Sequence, residues 1–300
     1  MALAFITGAS TGIGLETAIL FARRGCRVCA GARRPAGSTG LQRATDEGLP
    51  ITPVVLDVDS DESVRAAVAR VGSVDVLVNN AGIGSAGAVE LMPMAEIRAL
   101  FETNVFGAAR MMQAVLPAMR ERRSGVIVNV TSTMARITLP CHGYYAATKC
   151  ALFALSESLA MEMRPLGIRV AIIEPGVVLT PIWGKRAPEM PPMPEYRQGL
   201  DRLMRTFESQ MEGGLTPDVV AEAIYGAAIG GDDRIRIPVG EDADVWAAAR
   251  DRSTTEECVS LYAEPDDTRF AIRAEQMFGV DTLASPSLHA RRSTAKQAVI

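Results

Sequence analysis

Short apolar runs alternating with helical patterns constrain this chain more than any other feature. VDVLV at 74–78, GVIVNV at 125–130 and RVAII at 169–173 are hydrophobic almost without interruption. Strands of a parallel sheet covered on both faces read this way, whereas half-exposed antiparallel strands alternate. Further strands are expected at 4–7, 27–32, 51–56 and 235–239, and helices at 12–24, 60–71, 146–163 and 216–229. Ser60 opens the second of these helices, with Asp61 and Glu62 in a first turn that favours acids. Thr216-Pro217 opens the last. Such strand–helix–strand units cross over right-handed, so the fold class is α/β, a doubly wound parallel sheet with helices on both faces.

Composition narrows the function classes. The chain has 31 basic and 35 acidic residues and a net charge of −4, without the basic excess that nucleic-acid binding demands. Hydrophobic residues make up 48% and charged residues 22%, which excludes wholesale disorder. No run of apolar residues is long enough to span a membrane. The start, MALAFITGAS, reads as a strand and not as a secretion signal. Cys26, Cys29, Cys141, Cys150 and Cys258 form an odd set; Cys26 and Cys29 belong to a strand whose side chains alternate in direction. Free thiols and a cytoplasmic location follow. His142 and His289 are too few and too far apart for a metal site.

At 300 residues the length prior is about two domains. We read residues 1–283 as one, with a substrate lid at about 182–215 and a helical extension at about 241–283. Residues 284–300 form a polar, frayed tail. Four prolines in 184–196 exclude a regular helix or central strand there.

Thr7-Gly8-Ala9-Ser10-Thr11-Gly12-Ile13-Gly14 joins the first strand to the first helix. Glycines let the backbone turn tightly and approach a pyrophosphate, while the helix end supplies N–H donors. Gly8, Ser10, Thr11, Gly12, Ile13 and Gly14 are therefore candidate phosphate contacts, although an ordinary tight turn also uses glycine. An NAD site places an acid about 20 residues on. Here the second strand ends in Arg33-Arg34, and the next acid is Asp46. Two guanidinium groups suit a 2′-phosphate, which favours NADP(H) over NAD(H). Asp57 follows the third strand, where it can accept from an adenine amino group. Asn79-Asn80-Ala81-Gly82 follows the fourth, at the crevice edge.

Tyr145 and Lys149 stand four residues apart on one helix face. Only three lysines occur in the chain, Lys149, Lys185 and Lys296. A free phenol has a pKa of about 10, and a neighbouring ammonium is expected to lower it. Tyr145 can then exchange a proton with a substrate oxygen while hydride moves to or from a nicotinamide. Ser132, at the end of the fifth strand, is placed to orient the substrate carbonyl. Asn104 is a poor helix former inside a helix, and its amide can hold a water that relays protons from Lys149. Pro175, Gly176, Val178 and Thr180 follow the sixth strand on the cofactor side, with Thr180 suited to a carboxamide.

TGASTGIG at 7–14, Asp57, NNAG at 79–82, Asn104, Ser132, YAATK at 145–149 and PGVVLTP at 175–181 together resemble the short-chain dehydrogenase/reductase family over about residues 3–240. The resemblance implies a Rossmann-like sheet of seven parallel strands in order 3-2-1-4-5-6-7. It also implies a tetrad of Asn104, Ser132, Tyr145 and Lys149, with Lys149 additionally on the nicotinamide ribose. Adenine contacts would fall to Asp57 and Val58, and backbone contacts to Asn80, Ala81 and Gly82. Two departures are Ala135, where the family often has glycine, and the Pro- and Gly-rich segment 35–50, a poor second helix. IRIPVGEDADVW at 235–246 is similar to steroid, retinoid and other hydrophobic-alcohol dehydrogenases of the family.

The substrate is expected to be a bulky apolar alcohol or carbonyl compound. Ser132 and Tyr145 would hold its oxygen, and Trp183, Met190 and Met193 in the lid its apolar body. The same lid residues would equally pack on the helical extension or form an oligomer contact. A homodimer, or a homotetramer, is expected through the helices around Asn104 and Tyr145. Alternatives are a non-catalytic NADP(H)-sensing protein and an acyl-thioester ketoreductase. A sugar-nucleotide epimerase or dehydratase would need more room than the short lid leaves. Tyr145, Lys149 and Ser132 together favour the oxidoreductase, because a sensor needs no proton donor.

Overall fold

The computed structural model describes residues 1–184, 193–211 and 214–279. Seven strands form one sheet: β1 (Leu3–Thr7), β2 (Arg27–Ala32), β3 (Ile51–Val55), β4 (Val76–Asn79), β5 (Gly125–Val130), β6 (Ile168–Pro175) and β7 (Arg236–Val239). Their order is β3-β2-β1-β4-β5-β6-β7, and every pairing is parallel. The strand order reverses between β1 and β4, where the carboxyl ends of a doubly wound sheet open a crevice. Prolines within strands sit only on the two edges, Pro53 in β3 and Pro238 in β7, apart from the one that ends β6. A proline there removes no ladder hydrogen bond that a neighbour needs.

Helices α1 (Gly12–Arg23), α2 (Thr39–Asp46), α3 (Asp61–Val71), α4 (Met94–Phe101), α5 (Gly107–Arg122) and α6 (Gly143–Met163) alternate with the strands. On β1, Ala4 and Ile6 join one core with Ala18 and Phe21 of α1 and Leu41 of α2. Leu3 and Phe5, pointing the other way, join a second core with Val64 of α3 and Met111, Val115 and Met119 of α5. This alternation is why strands buried on both faces read as unbroken apolar runs. Cys26 and Cys29 lie in opposite cores, as the period of two requires.

The second helix forms, against expectation. Gly40 costs α2 about 1 kcal/mol. Ser38 caps the helix, its Oγ accepting the Leu41 N–H at 3.2 Å and donating to the Ser10 carbonyl at 2.7 Å. Such a cap contributes about 1 kcal/mol, and burying Leu41 about 1.5–3 kcal/mol more. Tertiary contacts outweigh the weak local propensity.

Beyond β6 follow α7 (Pro194–Met211), α8 (Pro217–Ala228) and, after β7, α9 (Glu241–Arg252), α10 (Thr255–Tyr262) and α11 (Asp267–Phe278). Leu203 and Phe207 of α7 pack with Trp246, Leu261, Phe270 and Phe278 in a third core. Arg202 reinforces this seam, stacking over the Phe270 ring at 4.1 Å and bonding Asp267 at 2.7 Å. The α7 part of the expected lid is thus seated on the carboxyl-terminal helices. The expected tail at 284–300 lies outside the described residues.

Candidate active site

At the end of β1, Gly8 and Gly12 adopt φ of +66° and +58°, conformations that glycine takes without strain. Gly14 is required by proximity: a Cβ there would lie 2.4 Å from Asn80 Nδ2 and 2.5 Å from the Gly8 carbonyl. Asn80 in turn donates from Nδ2 to the Thr7 carbonyl at 2.9 Å. The Thr7 hydroxyl accepts the backbone N–H groups of Asn80 and Ala81, both at 3.0 Å. The loops after β1 and β4 are therefore one hydrogen-bonded unit at the switch point. Helix α1 starts from it with no acidic side chain in its first turn. That electropositive end, with closely packed glycines, fits a pyrophosphate.

A continuous crevice runs over the carboxyl ends of the strands. Gly8, Ser10, Thr11, Gly12, Ile13, Arg33, Asp57, Val58, Asn80, Ala81 and Gly82 line one stretch. Ser132, Tyr145, Lys149, Pro175, Gly176, Val178 and Thr180 line the other. Arg33 is exposed at the rim, while Arg34 is not among the lining residues. Gly14 and Asn104 stand behind the wall rather than in it.

Ser132 follows β5 and caps a short turn, its Oγ accepting the Met134 N–H at 3.2 Å. The same side chain lies close enough to the Tyr145 phenol to favour its ionised form. Lys149 is buried, its Nζ donating to the Val130 carbonyl at 3.1 Å and lying 5.7 Å from the centre of the Tyr145 ring. The expected acidification of the phenol is reversed here. Burial pushes Tyr145 up to about 12, with the nearby Ser132 hydroxyl opposing it, and pulls Lys149 down to about 8. Desolvation penalises both charged forms, and in this pocket it outweighs the attraction between them.

Asn104 also differs from expectation. It sits in a π-helical turn, Glu102–Phe106, closed by the Gly107 N–H donating to the Glu102 carbonyl five residues back. Its Oδ1 accepts the Ile83 N–H at 2.8 Å, and its Nδ2 donates to the Ile83 carbonyl at 2.9 Å and the Thr148 hydroxyl at 3.1 Å. Both ends of the amide thus lock the segment after Gly82 against α6, while Oδ1 and the Lys149 ammonium flank the same space beside Gly82.

The substrate end departs further from the sequence reading. Met193 is 37% exposed and does not line the crevice. Trp183 belongs to the 3₁₀ turn Pro181–Gly184, and Met190 lies outside the described residues. The wall is built by Met134, His142, Val177, Phe207 and Trp246, of which Phe207 belongs to the expected lid. In the sequence Trp246 stood out only as the last residue of the stretch 235–246, and His142 only as one of two histidines. Neither carries a local signal that it meets Tyr145.

The family model described as short chain dehydrogenase matches residues 2–191. The chain is similar to a 3-ketodihydrosphingosine reductase of Bacteroides thetaiotaomicron, at 36% identity over 225 residues, 73% of this chain and 80% of that one. It is 41% identical to retinol dehydrogenase 8 of Homo sapiens over 186 residues, 60% of each chain. A short-chain dehydrogenase from Streptomyces avermitilis has a TM-score of 0.77 at 34% identity, over 87% of this chain and 96% of its own. A short chain dehydrogenase from Burkholderia cenocepacia in complex with NADP gives 0.68 at 26% identity, over 88% and 98%. A 3-ketoacyl-(acyl-carrier-protein) reductase from Brucella melitensis complexed with NADH gives 0.65 at 29% identity, over 79% and 96%. Sheet order, crevice and sequence match agree: the chain belongs to the short-chain dehydrogenase family and is an oxidoreductase of alcohol and carbonyl groups that uses a nicotinamide dinucleotide.

Proposed function

We propose that this chain is an NADP(H)-dependent oxidoreductase that interconverts a hydrophobic primary or secondary alcohol with its aldehyde or ketone. The observation that carries the reading is the convergence of Ser132, Tyr145 and the buried Lys149 on one crevice whose rim also holds Arg33. Gly8, Ser10, Thr11, Gly12 and Ile13 would hold the pyrophosphate, supported by α1. Asp57 and Val58 would face the adenine, and Asn80, Ala81 and Gly82 the backbone side of the nucleotide. Arg33 would take the 2′-phosphate, with Arg34 adding charge nearby. Lys149 would bond the nicotinamide ribose, and Pro175, Gly176, Val178 and Thr180 would border its carboxamide. Bound there, the dinucleotide supplies or accepts the hydride.

Ser132 Oγ orients the substrate carbonyl, and Tyr145 Oη delivers the proton as the oxygen gains charge. A phenol kept neutral by burial is suited to donating it. Asn104 keeps Thr148, and hence the Tyr145–Lys149 turn, in position. The apolar wall of Met134, Val177, Phe207 and Trp246 supports a hydrophobic substrate body. Residues 182–215, of which 185–192 and 212–213 lie outside the described residues, would form the lid of one catalytic unit with the helical extension. Exposed Phe106, Leu155 and Met161 near the helices of Asn104 and Tyr145 support a homodimer.

The test is a panel of steroid, retinoid and aliphatic ketones with NADPH and with NADH, followed at the nicotinamide absorbance. Turnover preferring NADPH is expected. Comparable use of both cofactors overturns the Arg33 argument. No turnover of any member favours the sensing protein.

A further inference from the structure

His142 stands at the N-cap of α6 but caps nothing with its side chain. It is 4% exposed, and neither ring nitrogen has a hydrogen-bond partner or is open to solvent, so a ligand group meets one only when the surrounding side chains shift. The Ser85 backbone lies near enough to favour a charged ring slightly, without a hydrogen bond of normal geometry. Buried polar groups are nearly always paired, and an unpaired one is destabilising. The imidazole lies between the Tyr145 ring, with centroids 4.7 Å apart, and the Phe207 ring at 5.3 Å. All three residues line the crevice, together with Ser132. Burial pulls the imidazole down to about 4, so at neutral pH it is uncharged, with one nitrogen donating and the other accepting.

We propose that His142 is a substrate-recognition residue that hydrogen-bonds a second polar group, a hydroxyl, on the same molecule whose carbonyl oxygen rests on Ser132 and Tyr145. The preferred substrates are then hydroxyketones, or the corresponding diols in the reverse direction, with an otherwise apolar body. This rests on the reading of the site as a carbonyl-reducing one. The apolar walls of Phe207 and Trp246 make the ring's hydrogen-bonding capacity selective. A ligand that lacks the hydroxyl leaves the buried ring unpaired, and sites built on such a bond reject the analogue lacking it. An uncharged imidazole can serve a hydroxyl as donor or acceptor, and it gives no special welcome to a carboxylate.

Two matched pairs of probes test this: α-hydroxyacetophenone with propiophenone, and β-hydroxypropiophenone with butyrophenone. Within each pair a hydroxyl replaces a methyl group. With NADPH, wild type is expected to favour the hydroxy member of at least one pair by about 10-fold in kcat/KM. His142→Phe is expected to bring that ratio close to one, and His142→Asn to restore part of it. Fluorescence titration of NADPH reports whether each variant is folded, and the wild-type ratio stands even if one is not. No preference in wild type, or a preference kept by folded His142→Phe, overturns the role of His142 while leaving carbonyl reduction intact. Turnover of none of the four ketones removes the carbonyl-reducing reading and this proposal with it.

Discussion

The carboxylate of Asp242, in the first turn of α9, accepts the backbone N–H of Val177 at 2.6 Å. The loop that continues β6 beside the crevice is therefore gripped by the first helix beyond the sheet. A Cβ on Gly176 would lie 2.0 Å from Asp242 Oδ1, so glycine at 176 is what lets the carboxylate approach.

Removing this grip is expected to loosen both elements at once. Asp242→Ala leaves the Val177 N–H without its acceptor, a loss of about 1–3 kcal/mol in unfolding free energy. Affinity for the dinucleotide is expected to fall several-fold, because Gly176 and Val178 border the crevice. Denaturant unfolding and fluorescence titration with NADPH measure the two effects. A stability loss with unchanged affinity would make the contact purely structural.

Tyr145→Phe keeps the ring that packs on His142 and removes the exchangeable proton. Ketone reduction is expected to drop by about 10³-fold in kcat, with NADPH binding retained. Full turnover by this variant in steady-state assays would refute the proton-transfer role.

Arg33 and Arg34 separate by position. Arg33→Ala is expected to weaken NADPH binding by about 10-fold, the loss of one charge-assisted contact, and to leave NADH binding unchanged. Arg34→Ala, away from the crevice lining, should change little. Parallel titrations of both variants with both cofactors decide this.

Lys149 also has a signature in stability. Burial lowers it to about 8, so at higher pH the folded chain has released a proton that the unfolded chain keeps up to about pH 10. Ligand-free stability therefore gains a rising contribution across that window. Unfolding free energy of wild type relative to Lys149→Met is expected to increase by about 1–2 kcal/mol between about pH 8 and pH 10. Tyr145, raised to about 12, acts in the opposite sense only above that range. Urea titrations at several pH values measure the difference, and a flat one would place the ammonium in contact with solvent.

Local patterns determined much of this protein from the sequence alone. Unbroken apolar runs between helical patterns identified the seven strands, the glycines of 7–14 identified the phosphate turn, and four-residue spacing put Tyr145 and Lys149 on one face. Each is a relation between neighbours, governed by backbone geometry that does not depend on the rest of the chain. Contacts at long range were decided only in three dimensions. Asn104 is turned by a π-helical segment towards Ile83 and Thr148, 21 and 44 residues away. His142, Phe207 and Trp246 come together from the start of α6, from α7 and from α9, and no spacing in the sequence relates them. The ionisation of Tyr145 and Lys149 belongs to the same class. Their spacing set the partner, but desolvation is summed over every group that packs around them, and it reversed the direction that the pair alone implied.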